Sequence, residues 1–308
     1  MSRRPVVVKL GSSLVASPGG RLRRSLLGHR AREIAALLGD GTPAVVVSSG
    51  AIALGLPRLG LTRRPASVPR LQAASALGQA RLQAAWDTAL ARHGIPAAQI
   101  LLTAGEIADR AAYVNARNAL SALFQLRAVP IVNENDATAT DEITFGDNDA
   151  LAAQVAVLVR ARLLVLLTEV EGVFTRAPGT PGAELIPEGS AARDAVLGEA
   201  APTGKGGMRS KILSAEMAAS AGIQTVIAGG AGPAVLEPIL AGERRGTVFE
   251  PRAREESAFK LWLRFGKPVK GRLHVDEGAR RAVAEDGARV VRALDRLTES
   301  LRSGDLGG

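Results

Sequence analysis

Apolar positions along the chain fall into short continuous runs separated by longer stretches with helical spacing. Val6 to Leu10 is the first run, β-branched and closed by Gly11, Ser12 and Ser13, so it reads as a strand entering a tight turn. Leu22, Leu26, Ile34, Leu37 and Leu38 then recur at the helical period up to a Gly-Asp-Gly stop at 39–41. The alternation continues with strands expected at Ala44 to Val47, Gln99 to Thr103, Val129 to Val132, Leu163 to Thr168 and Gln224 to Ala228. Between them, helices are expected over Leu71 to His93, Tyr113 to Leu126, Ala150 to Leu158 and from the glycine-rich stretch 204–211 through Ala221. Strands alternating with helices predict an α/β fold, an open and mostly parallel sheet sandwiched by helices.

Composition narrows this picture without changing it. The 308 residues exceed the usual size of a single core, so a large α/β domain with an appendage, or two domains, is expected. A hydrophobic content of 46% with only 3% aromatics implies a core of Val, Leu, Ile and Ala, which suits a buried parallel sheet. With no cysteine, disulfides and thiolate metal sites are excluded, and three histidines argue against a histidine-rich metal centre. Lys9 and Gly11 interrupt the first apolar run, which is therefore a strand and not an export signal. No apolar run reaches the roughly 20 residues that span a bilayer, and a cytoplasmic location is expected.

The net charge of +9 invites a nucleic-acid reading. Aromatics for base stacking are scarce, however, and the arginines that carry the charge are scattered along helices, so nucleic acid is not the expected partner. Lysine is the exception in this chain, and Lys9 and Lys205 to Lys211 lie in or beside glycine-containing stretches. Lys9 ends a predicted strand, and Lys211 follows a glycine-rich loop into a helix, two positions from which an ammonium can meet a phosphoryl group. Neither stretch has the spacing of a Walker A loop or of a dinucleotide-binding fingerprint.

Against this basic background, Ile131 to Asp149 holds Glu134, Asp136, Asp141, Glu142, Asp147 and Asp149 and no cation. Taken alone it would be a solvated acidic loop. It runs from a strand into a helix, the place where open α/β sheets bind ligands, and Asp149 between two lysines would keep both charged and aimed. Two positioned cations around one carboxylate are what phosphoryl transfer requires.

The segments KLGSS, VVSSGAIALG, VNENDATAT, FGDNDALAA, LLTEVEGVFT and TGKGGMRSK together resemble the amino acid kinase superfamily, and within it the glutamate 5-kinase family. The resemblance is continuous from about Val6 to Pro251. It implies ATP-dependent phosphorylation of the γ-carboxylate of L-glutamate, the first step of proline synthesis, with Mg²⁺ held mainly through the ATP phosphates. Carried over by residue, it implies that Lys9 and Lys211 stabilise the transferring group and that Asp149 orients them. Ser49, Gly50, Asp136 and Asn148 fall at substrate-binding positions. Thr168, Glu169, Lys205, Gly206, Gly207, Met208, Arg209, Ser210 and Lys211 fall at nucleotide-binding positions. Glu169 stands where the family commonly has Asp, and Lys205 and Arg209 replace small polar residues.

The same resemblance implies a homo-oligomer, feedback inhibition by L-proline and functional coupling to glutamate-5-semialdehyde dehydrogenase. Residues 1–251 are expected to form the kinase domain, with about 1–165 as the amino-acid-binding half and 166–251 as the nucleotide-binding half. Residues 252–308 resemble the approach to an RNA-binding-type PUA domain and are expected to be a linker and a truncated remnant of it. An acetylglutamate or aspartate kinase is the nearest rival within the fold, and a basic nucleic-acid-binding or regulatory protein on the same fold is the other.

Overall fold

Each long apolar run becomes a strand of one sheet. The structure, a computed structural model, describes residues 3–139, 148–197, 206–252 and 278. In chain order the elements are β1 (Val6–Leu10), α1 (Ser12–Val15), α2 (Arg24–Gly39), β2 (Ala44–Ser48), α3 (Ala51–Gly55), α4 (Val68–Ala91), β3 (Ala97–Leu102), α5 (Ala104–Ala108), α6 (Arg110–Gln125) and β4 (Val129–Glu134). They continue with α7 (Asn148–Leu158), β5 (Leu163–Thr168), β6 (Val173–Phe174), β7 (Leu185–Ile186), α8 (Gly189–Leu197), α9 (Gly206–Ser220), β8 (Gln224–Gly229), α10 (Leu236–Leu240) and β9 (Thr247–Phe249). The chain divides into two units, Met1–Lys267 and Pro268–Gly308, and of the second only Gly278 is described. The expected PUA remnant at 252–308 thus lies, apart from Arg252 and Gly278, outside the described residues.

The sheet runs β3-β4-β2-β1-β5-β8-β9, parallel throughout except for β9, which pairs antiparallel with β8 at the edge. β1 is central, with Lys9 level with Val47 on β2 and Leu166 on β5. Side chains alternate between two cores, as the pleat requires. Val6, Val8 and Leu10 pack with α2 and α4, whereas Val7 packs with α7 and α9. Lys9 shares the face of Val7. α7 is buried on nearly every side, so after its first two residues it is apolar but for the buried Gln154.

Several short elements lie outside the sequence expectation. The Pro/Gly stretch at 178–189 contains β7, which pairs antiparallel with β6 ahead of it, both two residues long and too short to carry an alternation signal, and α8 begins at its last residue. β9 has three residues and no periodicity to read.

A polar staple joins α2 to the segment after β8. Glu33 is buried and its Oε1 accepts from the backbone N–H groups of Val235 (2.6 Å), Leu236 (2.7 Å) and Glu237 (3.3 Å), capping α10, which has no side-chain cap of its own. Arg30, fully buried, pairs with Glu33 at 2.9 Å and donates to the Gly232 carbonyl at 2.6 Å. Burial lowers the Arg30 pKa, and Glu33 opposes that shift. Glu33→Ala would strand a buried guanidinium and three helix N–H groups, so a loss of about 3–5 kcal/mol is expected from urea unfolding. Adding Arg30→Met to Glu33→Ala should recover only the part due to the unpaired guanidinium, since the N–H groups of α10 stay uncapped.

Candidate active site

The carboxyl ends of the central strands carry the predicted site. Lys9 is the penultimate residue of β1 and points to the α7 and α9 face, where both helices begin. Asp149, in the first turn of α7, pairs there with Lys9 through Oδ1 and with Lys211 through Oδ2, the latter at 2.9 Å. All three side chains are largely buried. Burial alone would raise the Asp149 pKa, but the charges of Lys9 and Lys211 and their hydrogen bonds outweigh it, and the net shift is downward. One carboxylate therefore holds two ammonium groups from elements about 200 residues apart in sequence at one point.

Beside this trio lies a buried cluster of polar side chains. Gly50 caps α3 at φ 114°, a conformation open to glycine, and a Cβ there would come within 2.9 Å of Val15. The turn it makes sends Ser49 toward α7, where Asn148 Nδ2 donates to Ser49 Oγ (2.8 Å) and to Asn133 Oδ1 (2.8 Å). Asn133 Nδ2 in turn donates to Gln79 Oε1 on α4 at 2.7 Å. Asp136, just past β4, accepts from the Ser75 hydroxyl of the same helix through Oδ2. Burial raises the Asp136 pKa, with the Ser75 hydrogen bond and the charge of Arg64 pulling the other way.

The substrate-binding residues predicted from sequence, Ser49, Gly50, Asp136 and Asn148, are thus brought together next to Lys9, Asp149 and Lys211. On the other side of β1, Thr168 ends β5, and its carbonyl accepts from Gly230 N at 2.8 Å. Glu169 follows it, exposed. Gly206 to Lys211 form the first turns of α9, whose leading backbone N–H groups have no helical acceptor. In those turns Met208 packs against the core, while Gly207 and Arg209 are exposed and Ser210 is half-buried. Lys205, Asp141, Glu142 and Asp147 lie outside the described residues.

Two residues of the pocket were not singled out from sequence, Ser75 and Gln79. Both fall on the buried stripe of α4 with Leu71, Ala74, Gly78, Leu82 and Trp86, and polar side chains on such a stripe were the signal available. α4 reaches the site because it crosses α3 backbone to backbone. A Cβ on Gly55 would lie 1.7 Å from the Ala74 carbonyl oxygen, and one on Gly78 would lie 1.8 Å from that of Ala51. Trp86 Nε1 adds a hydrogen bond to Ser48 Oγ at 3.0 Å.

Among the described residues, no group of carboxylates and histidines could hold a metal ion by itself, and no helix is long and apolar enough to cross a membrane.

Comparison with known proteins matches the Amino acid kinase family over residues 4–229. A glutamate 5-kinase of Pseudomonas fluorescens Pf-5 is 46% identical over 284 residues, covering 91% of this chain and 76% of that protein. The glutamate 5-kinase of Chromohalobacter salexigens is 44% identical over 308 residues, covering 98% and 82%. Among solved structures, a UMP kinase of Bacillus anthracis superposes with a TM-score of 0.55 at 16% identity, covering 81% of this chain and 97% of that one. An isopentenyl phosphate kinase superposes at 0.56 and 21% identity, covering 79% and 98%. These two likenesses concern the fold, which is that of the expected parallel sheet between helices. By its sequence match and its relatives, this chain belongs to the amino acid kinase family and, within it, to the glutamate 5-kinases.

Proposed function

We propose that this protein phosphorylates the γ-carboxylate of L-glutamate with ATP, giving L-glutamyl 5-phosphate for proline biosynthesis. The observation that carries the reading is the meeting of Lys9 and Lys211 on the two oxygens of Asp149, beside the pocket of Ser49, Asp136 and Asn148. ATP supplies the phosphoryl group, and Mg²⁺ travels with its phosphates. The donor set fits such a polyanion: two ammonium groups share one carboxylate, and Lys211 lies in the N-terminal turns of α9, the end of a helix that favours anions.

In the transfer a γ-carboxylate oxygen forms a bond to the γ-phosphorus as the bond to the β–γ bridging oxygen breaks, and ADP leaves. The acceptor is already ionised, so no proton has to be removed. The work of the protein is to align the two substrates and offset charge. Lys9 and Lys211 face the equatorial oxygens, and Asp149 holds both lysines in place. Asp136 and Asn148 accept from the α-ammonium, while Ser49 and Gly50 border the side chain. Thr168, Glu169 and Gly206 to Lys211, with Lys205, serve the nucleotide. The amino-acid half then corresponds to about 1–165 and the nucleotide half to 166–251. A homo-oligomer, inhibition by L-proline and coupling to glutamate-5-semialdehyde dehydrogenase belong to the same reading, and a proline titration of activity tests the second of these.

Initial rates with L-glutamate, N-acetyl-L-glutamate and L-aspartate test the assignment. Turnover on L-glutamate alone is expected, and activity confined to the acetylated substrate would refute it. Asp136→Ala is expected to raise the KM for L-glutamate about 10- to 100-fold with less effect on the KM for ATP, as loss of a charge-assisted hydrogen bond.

The raised pKa of Asp136 gives this binding a pH signature. Only the ionised carboxylate attracts the ammonium, so KM should climb as pH falls through a value above the ordinary carboxylate range. The sign for stability is opposite. A raised carboxyl pKa favours the folded protein below the unfolded value, and that contribution is lost as pH rises through the folded one.

A further inference from the structure

We infer that Gln79 reads the α-carboxylate of the amino-acid substrate through its side-chain N–H donor. The inference rests on the glutamate kinase reading above and concerns how that same pocket recognises the end of glutamate that does not react.

Among the described residues, three buried polar atoms of this cluster have no hydrogen-bond partner: Asp136 Oδ1, Asn148 Oδ1 and Gln79 Nε2. Their identities follow from the bonds their other atoms make. Asp136 uses Oδ2 for Ser75. Asn148 spends Nδ2 on Ser49 and Asn133, so its oxygen is left over. Asn133, having accepted from Asn148, donates to Gln79 Oε1, which leaves Gln79 Nε2 as a free donor. Buried polar groups are nearly always paired, and an unpaired one near a substrate pocket marks where the substrate supplies the partner.

This inventory of two acceptors and one donor matches the α-carbon substituents of a zwitterionic amino acid. An ammonium donates to the oxygens of Asp136 and Asn148. Those same oxygens repel a carboxylate, which needs a donor instead. Lys9 and Lys211 are engaged with Asp149 at the phosphate end, and Gln79 supplies a donor from α4. Ser75 and Gln79 stand one helical turn apart, so one face of α4 both holds Asp136 and presents the donor. Gly78, between them on the stripe, keeps that face close by resting α4 directly on the backbone of α3.

The test uses L-glutamate and 4-aminobutanoate, which is glutamate without its α-carboxylate. Values of kcat and KM for L-glutamate, and the inhibition constant of 4-aminobutanoate as a competitive ligand, are measured for the wild type, Gln79→Glu and Gln79→Met. Gln79→Glu keeps the acceptor that Asn133 needs, removes the donor and adds a negative charge, whereas Gln79→Met removes the donor without adding charge. Both variants are expected to raise the KM for L-glutamate by about 10-fold or more, with a smaller change in kcat and little change in the 4-aminobutanoate constant. A wild-type KM in Gln79→Glu would show that Gln79 merely orients Asn133 and would overturn the inference. So would an equal loss toward both ligands. Failure of the underlying glutamate kinase reading is separable, because it would appear as absent turnover of L-glutamate in the wild type.

Discussion

Lys9→Met is expected to lower kcat about 100- to 1,000-fold, and Lys211→Met by a similar factor, because each removes one preorganised cation from the group in flight. Methionine preserves the length and apolar stem of the side chain, so the sheet and α9 should survive, which near-UV circular dichroism and a thermal midpoint would check. The double variant should lose little more than the worse single one, since two cations clamped on one carboxylate act as a unit. Near-normal turnover in both single variants would refute the two-lysine account.

Asp149 gives that account an independent handle. Its lowered pKa means that it contributes stability above the ordinary carboxylate value and loses it as pH falls through the lower folded value. Asp149→Asn removes the contribution and leaves Lys9 and Lys211 to repel each other. Its loss of stability on acidification should therefore be shallower than that of the wild type, and its turnover should collapse with the lysine variants.

The second large effect is structural. Gly78→Val is expected to cost more than about 4 kcal/mol and to yield little folded protein, a size of effect confined to a few mechanisms. The new Cβ would sit inside the Ala51 carbonyl, and relief would require parting α3 from α4. That movement would also draw Ser75 from Asp136 and Gln79 from Asn133, so any folded fraction should bind L-glutamate poorly. Gly28→Ala is the control. It lies within α2 with nothing within 4 Å of the added Cβ, and a gain of about 0.5–1 kcal/mol is expected from the helix preference of alanine. Denaturant midpoints of the two variants make the comparison.

The sheet was legible because buried parallel strands are continuous apolar runs, and β1 and β5 begin and end where those runs do. Lys9, Asp149 and Lys211 were legible for a different reason: lysine is scarce in an arginine-rich chain, and one acidic stretch stands out from a basic background. What escaped were residues whose meaning depends on a distant partner. Arg30 and Glu33 look like a surface pair on a helix until α10 arrives some 200 residues later to be capped. Ser75 and Gln79 look like polar substitutions in an apolar stripe until β4 and α7 place carboxylate and amides against them. Gly55 and Gly78 give no sign of their contact, because nothing local distinguishes a helix crossing from a helix that merely tolerates glycine. β9 is too short for any pattern.

The order β2-β1-β5 also makes the sheet a ruler. Ser49 follows β2, Lys9 stands one residue before the end of the neighbouring strand and Thr168 ends the next, so under the proposed function the spacing between the amino-acid end and the phosphate end is set by main-chain hydrogen bonds at roughly 4.8 Å per strand. No hinge interrupts those three strands. An acceptor one methylene shorter than glutamate can satisfy one end of this scale but falls about 1 Å short at the other, a misplacement that costs about 100-fold in rate. Chain-length selection would then come from the backbone of the sheet, where exchanging side chains cannot readily retune it.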